Sequence, residues 1–383
     1  MQYINPQKLE NTLNTRLAAD IREHNLFGAA LYVGQEGKTV YQNAMGVADP
    51  ATGTPVSDKT LFRLASMTKP ITAVAALILQ ERGKLSLDDQ VSRYYPQFAN
   101  KNIATVGENG LLYTVGPAVT PITLRHLLSH ASGIGSGPVG ALQTKAMTAK
   151  DRETVADTVA YFGQQDLSFD PGSKGEYSAF AAFDVMTGII EQVAGDHYEN
   201  FLQREIFAPC QMEDTTFSPT PAQWQRMTVM HDRVSGENQV SPMELNCIFE
   251  NYPCTHYLGG AGLASTLADY SHFANMLVQR GIYGGNRILT EASIKELETP
   301  QLSDTIPQGA YRRGLGVRVI TDPNYPALPL GCYGWSGAYG PHFWIDPTNK
   351  IAAVYMKNSR HDPGSGSITG YHFEEDVYAS IQE

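Results

Sequence analysis

"LASMTKP", residues 64–70, sets a serine three positions before a lysine at the point where a long apolar run begins. In that run, "PITAVAALILQERG" (70–83), Ile71, Val74, Ala75 and Ile78 recur at helical spacing, and Leu77 and Leu79 widen the apolar surface until little polar face remains. Such a helix belongs in the interior. Pro70 suits a first helical turn, where a missing N–H costs least, and Gly83 can end the helix as a left-handed cap, so the pattern predicts a helix beginning near Ser66. Residues i and i+3 share a face, which lets the Lys69 amine reach the Ser66 hydroxyl, and the helix N-terminus favours negative charge developing there. An amine taken out of water is more easily held neutral, and a neutral amine can accept the serine proton. A four-residue pattern arises readily by chance. This one is the only Ser-x-x-Lys in the chain, and its place at the head of a buried helix marks Ser66 as a nucleophile with its base, Lys69, attached.

Outward from that helix, "KLENTLNTRLAADIREH" (8–24) has the apolar spacing of an amphipathic helix, and "FGAALYVGQEGKTVYQNAMG" (27–46) reads as two strands turning at Gln35, Glu36 and Gly37. Near the other end, "HFWIDPTNKIAAVYMKN" (342–358) is a second hairpin turning at 346–349, and "YHFEEDVYASIQE" (371–383) a closing helix. Strands at both ends and a largely helical middle predict an α/β (α+β) fold: one antiparallel sheet, flanked by helices, with a mostly helical lobe inserted. The expected division is a discontinuous sheet lobe, 1–62 with 205–383, and a helical lobe, 63–204, with the active site at their junction. The Pro/Gly-rich stretches 133–140 and 362–370 read as loops.

Composition narrows the function classes. With 383 residues, 42% hydrophobic and 17% charged, the chain is an ordinary globular protein with room for a large core. Its 39 acidic against 28 basic residues, net charge −11, and lack of a basic tract argue against nucleic-acid partners. No apolar stretch approaches the roughly 20 residues of a membrane span. The first residues lack the apolar segment of a secretory signal, and Cys210, Cys247, Cys254 and Cys332 form no C-x-x-C pair, so the expected setting is a reducing cytoplasm with four buried thiols.

The stretch 61–98, together with "ITLRHLLSHASGIG" (122–135), "FDPGSKGEYSAFAAFDVMTGIIEQVAG" (169–195), "GGAGLASTLADYSHFANMLVQRG" (259–281) and "GWSGAYGPHFWIDP" (334–347), resembles the nucleophile region and later motifs of the serine β-lactamase and penicillin-binding-protein superfamily. The resemblance runs from about residue 27 to about 358. It implies that Tyr177 is the tyrosine of the second motif, relaying protons among serine, lysine and leaving group. Beside a lysine cation the phenolate is favoured, so a proton can be shared within the pair, and which of the two is the base stays open. It also places Trp335, Ser336 and Gly337 where penicillin-active relatives carry Lys-Thr-Gly. Gly337 would let the strand approach the substrate closely. The backbone N–H groups of Ser66 and Ala338 are then the expected oxyanion hole.

Two departures follow from the same resemblance. Ala179 stands where penicillin-active relatives have asparagine, and Trp335 where they have lysine, so the groups that hold the amide and carboxylate of such substrates are gone. The combination is most similar to the family VIII carboxylesterases. The reading is a serine hydrolase acting on small-molecule esters of short to medium acyl chain, with no metal or organic cofactor. Its alternative is a D-amino-acid peptidase, amidase or weak β-lactamase, for which Arg312, Arg313 or His342 would have to replace the carboxylate anchor. Acyl transfer to an alcohol is a variant, a non-catalytic binding module a less supported one, and the oligomeric state is unknown. His126 and His130 have the i, i+4 spacing of a zinc pair without the glutamate of H-E-x-x-H and read as packing and capping residues. "STLAD" (265–269) can be a helix N-cap with an acid in the first turn. The chain has no G-x-S-x-G elbow.

Overall fold

The computed structural model describes residues 1–23, 26–234, 237–241, 256–362, 364 and 366–381. Helix α1 (Pro6–Arg22) starts where the Asn5 side chain accepts the Lys8 N–H, and its apolar spacing buries Leu9, Leu13 and Leu17. The first hairpin is β1 (Gly28–Gln35) and β2 (Lys38–Asp49), with β3 (Thr54–Pro55) continuing from it. Its turn residues, Glu36 and Gly37, both take positive φ. Five strands come from the far end of the sequence: β4 (Tyr311–Arg313), β5 (Arg318–Ile320), β6 (Tyr333–Ser336), β7 (His342–Asp346) and β8 (Ile351–Met356). β1 pairs antiparallel with β8, Ala30 opposite Met356, and so unites both hairpins in one sheet of order β4-β5-β6-β7-β8-β1-β2-β3.

β1 and β8 are buried at every residue because helices cover both faces of the sheet. The period-two alternation sorts the side chains. Leu31, Val33, Trp344 and Tyr355 pack on α1 and on α5 (Ile368–Ala379). Tyr32, Phe343, Val354 and Met356 face the larger core, built around α2 (Thr68–Glu81), α3 (Ala181–Ala194) and α4 (Leu267–Val278). α2 is buried from Thr68 to Leu79, as its apolar run requires, and is preceded by a single 3-10 turn, Ala65–Met67. Gly83 follows its end with φ 64°. Thr266 caps α4 by accepting the Asp269 N–H.

Three local expectations change. The middle of the chain holds a hairpin, Asn102–Val106 with Leu112–Pro117, whose second strand is almost entirely exposed. The stretch 133–140 is a loop only as far as Ser136, because Pro138 sits in the first turn of a helix, Gly137–Ala146. Likewise 362–370 ends in the first turn of α5, capped by Ser367. Cys210 and Cys332 are buried thiols; Cys247 and Cys254 lie outside the described residues. Among the described residues no helix is long and apolar enough to cross a membrane.

Candidate active site

Ser66 sits in the 3-10 turn ahead of α2, and the turn is held from several sides. Leu64 N–H donates to the Leu263 carbonyl at 2.9 Å, Leu263 N–H to Thr68 Oγ1 at 3.2 Å, and Tyr270 Oη to the Met67 carbonyl at 2.9 Å. Ala65, directly before the serine, is forced to φ 45°. A left-handed alanine costs roughly 1–2 kcal/mol, and buried packing keeps it there.

Lys69 follows one turn later and is fully buried. Its Nζ lies 3.2 Å from Ser66 Oγ and donates at 2.7 Å to each of two carbonyls, Ala179 and Gly260. Two amine hydrogens are thus committed to carbonyls, and the third valence of the nitrogen is directed at Ser66. Tyr177 Oη is 2.6 Å from Ser66 Oγ, and the centre of its ring lies 5.0 Å from Lys69 Nζ. Tyr177 is 37% exposed while Ser66 is 9% exposed, so the tyrosine forms the rim and the serine the floor.

Behind the tyrosine stands His130, fully buried. Its ring is 4.7 Å from Tyr177 and stacks on Trp335 at 5.6 Å, and its Nδ1 accepts the Ser178 N–H at 3.2 Å. Burial, with Lys69 and Arg313 nearby, drives its pKa well down, so it is a neutral imidazole. His126 caps a short helix by accepting the Thr123 N–H. Neither histidine faces the cleft, in keeping with a packing and capping role.

A cleft of about 370 Å³ opens over Ser66, with Tyr177, Trp335, Ser336, Gly337 and Ala338 on its walls. Sequence reasoning named all of these. It missed Tyr311 and Arg318, which line the same cleft, because only the pairing of β4, β5 and β6 brings them there. Of the proposed carboxylate anchors, Arg313 reaches the cleft and donates to the Gly175 carbonyl at 2.8 Å. Arg312 instead binds Asp304 and the Leu302 carbonyl, and His342 lies behind β6, buried. Ala179, expected to meet substrate, meets Lys69 through its carbonyl and is not on the cleft wall.

Gly337 has a structural reason as well: a Cβ there would lie 2.2 Å from the Leu64 carbonyl oxygen, so the glycine lets the chain leaving β6 run against the nucleophile turn while it lines the cleft. Its own carbonyl accepts from Gly340 and Gly364 N–H, both at 3.0 Å.

Sequence reasoning also passed over Asp184. It sits on α3, 1% exposed, close to the Gly259 and Gly260 N–H groups, and its Oδ1 has no hydrogen-bond partner. Burial pushes the Asp184 carboxyl up to about 7, against the pull of Lys69. An apolar helix face with one acid was the available signal.

A serine at the head of a buried helix, beneath an antiparallel sheet covered on both faces, is the β-lactamase and transpeptidase architecture, on which serine hydrolases are built. The Beta-lactamase family model matches residues 10–372, and the chain belongs to that family. Esterase EstB of Burkholderia gladioli is 28% identical over 384 residues, covering 91% of this chain and 90% of that one. Two solved structures share the fold. EstCE1, "a hydrolase with promiscuous acyltransferase activity", has TM-score 0.80 and 24% identity over 97% of this chain and 99% of its own. A family VIII carboxylesterase has TM-score 0.75 and 20% identity over 97% of each chain. The family read from the motifs is the family found.

Proposed function

We propose that the protein hydrolyses carboxylic esters of short to medium acyl chain through an acyl-enzyme on Ser66. The observation that carries this reading is the contact of Ser66 Oγ with Tyr177 Oη at 2.6 Å and Lys69 Nζ at 3.2 Å on the cleft floor. Ser66 Oγ attacks the ester carbonyl as its proton passes into the Lys69–Tyr177 pair. The Ser66 and Ala338 N–H groups take the oxyanion. Collapse of the intermediate breaks the C–O bond, and the pair returns the proton to the leaving alcohol. Water then repeats the sequence to release the acid, and an alcohol in its place would give acyl transfer. The likeness to the esterase EstB supports an ester substrate, and the likeness to EstCE1, with its promiscuous acyltransferase activity, supports the transfer variant. The two-lobe division at 62/63 and 204/205 is likewise a proposal, supported by all eight strands of the large sheet lying outside 63–204.

Selectivity rests on Trp335, which turns an aromatic face and no cation to the cleft, and on the absence of a side-chain hydrogen bond at Ala179, beside Lys69; an unpartnered buried polar group costs roughly 1–3 kcal/mol. One observation favours a second reading, a peptidase or amidase for carboxylate-bearing substrates: Arg313 faces the cleft, and among the described residues it has no carboxylate partner.

A panel of p-nitrophenyl butyrate, a chromogenic cephalosporin and a D-alanyl p-nitroanilide separates these. Butyrate should be hydrolysed and the cephalosporin turned over about two to four powers of ten more slowly, the effect of roughly 3–5 kcal/mol. Ser66→Ala should abolish turnover and labelling by a fluorophosphonate, with Lys69→Ala and Tyr177→Phe severe and non-additive. Equal kcat/KM for ester and cephalosporin would move the assignment to a β-lactamase or peptidase, and an unlabelled native protein to a binding module.

A further inference from the structure

On β6 and β7, Ser336 and His342 stand directly opposite each other in the antiparallel register, so their side chains share a face. Ser336 Oγ is 2.9 Å from His342 Nδ1, and His342 Nε2 is 2.8 Å from Glu374 Oε1 on α5. The same Glu374 oxygen accepts from Arg318 at 3.1 Å. His342 and Glu374 are 2% and 1% exposed, while Ser336 is half-buried on the cleft wall. A hydrogen-bonded line therefore runs from the cleft wall along one face of the sheet to the covering helix.

The direction of that line is fixed from its inner end. A guanidinium only donates, so Glu374 Oε1 is an acceptor, and an acceptor facing His342 Nε2 places the imidazole proton on Nε2. Burial lowers the His342 pKa, which keeps the ring neutral. Its Nδ1 then carries a lone pair. The Trp335 carbonyl, 3.3 Å from Nδ1, cannot donate to it, so the Ser336 O–H must.

We infer that Ser336, with its proton committed to His342, presents only lone pairs to the cleft and selects ligands that place a hydrogen-bond donor, a hydroxyl, amide N–H or ammonium, beside it. The inference rests on this cleft being the substrate site. Ser336 is the specificity-determining residue, and His342 and Glu374 are positioning residues that set its polarity. A neutral acceptor at the same place would meet lone pair against lone pair, with no proton available to join them.

Two measurements test it. Long-range nitrogen–proton correlation NMR of histidine-labelled protein should find His342 as the Nε2–H tautomer; the Nδ1–H form would overturn the inference whatever the enzyme's activity. Inhibition by two isosteric neutral boronic acids, meta-carbamoylphenyl and meta-acetylphenyl, should favour the carbamoyl compound, which has the N–H donors, by about three- to tenfold. That ratio should fall to about one in Ser336→Ala, which loses the acceptor, and in His342→Phe, where the freed hydroxyl can turn and donate. A ratio that persists in Ser336→Ala would overturn the inference even if His342→Phe does not fold. If neither boronic acid binds, or both bind Ser66→Ala undiminished, the nucleophile reading fails instead, and the tautomer alone decides this one.

Discussion

Gly337→Ala places a methyl group 2.2 Å from the Leu64 carbonyl oxygen and 2.7 Å from Pro341 Cγ. The proline ring can give a little; the Leu64 backbone is tied to Leu263 on its other side and cannot. Even a tight carbon–oxygen contact needs about 3 Å, so β6 and the Ser66 turn must separate by about 0.8 Å. That gap is the one across which the N–H groups of Ser66 and Ala338 would grip a single oxyanion. A displacement near 1 Å at reacting groups costs about a hundredfold in rate, or about 2.7 kcal/mol of barrier. Overpacking costs stability separately, about 1–3 kcal/mol. Steady-state hydrolysis of p-nitrophenyl butyrate should therefore show kcat down about a hundredfold with KM within a few-fold, in a variant whose circular dichroism is native. A folded Gly337→Ala enzyme within threefold of native kcat would refute the claim that this contact sets the spacing of the two donors.

Asp184 should make stability fall with rising pH. Its carboxyl, held up to about 7 in the fold against 3.8 in the free side chain, keeps a proton that the unfolded chain has lost; unfolding free energy should decline between about pH 4 and pH 7 and level off above, and denaturant titrations of Asp184→Asn should lack that slope. His130→Phe leaves the buried Ser178 N–H without an acceptor and loosens the wall behind Tyr177, so urea unfolding should register a loss of about 1–3 kcal/mol. Lys357, fully buried, bonds Asp362, Ser367 and Thr369. Lys357→Met should cost about 3–5 kcal/mol by stranding Asp362, and Lys357→Met with Asp362→Leu less than the single change; thermal melts of the two variants check the order.

What the sequence discloses here is whatever a local pattern encodes. The apolar run after Ser66 encodes a buried helix, and the apolar and aromatic runs on either side of the turns at 35–37 and 346–349 encode two hairpins. The hairpin at 102–117 escaped because its strand Leu112–Pro117 packs on almost nothing, so burial imposed no alternation on it. The helix at Gly137 escaped because glycine and proline, usual marks of a loop, here occupy its first turn. Ser66, Lys69 and Tyr177 were marked by motif, whereas Arg318 and Tyr311 enter the cleft only through strand pairings. Ala65 carries its strain in the backbone, where no side-chain pattern records it.

The pairing of β1 with β8 has a consequence for how the protein is made. Ser66 leaves the ribosome about 270 residues before Ala338, an interval of roughly 14–54 s at about 5–20 residues/s. Throughout it, α2 has its neighbours α3 and α4 arriving in turn, but the apolar edge of β1 waits for β8, whose Met356 must meet Ala30. Such distant partners make for slow folding and for a nascent chain whose open strand edge other chains can pair with. They also ensure that a prematurely terminated product, however well its helices form, carries the serine without the strand that lies across it. A chain cut before β6 therefore carries the nucleophile turn without its partner strand, and its β1 edge stays open to pairing with other chains.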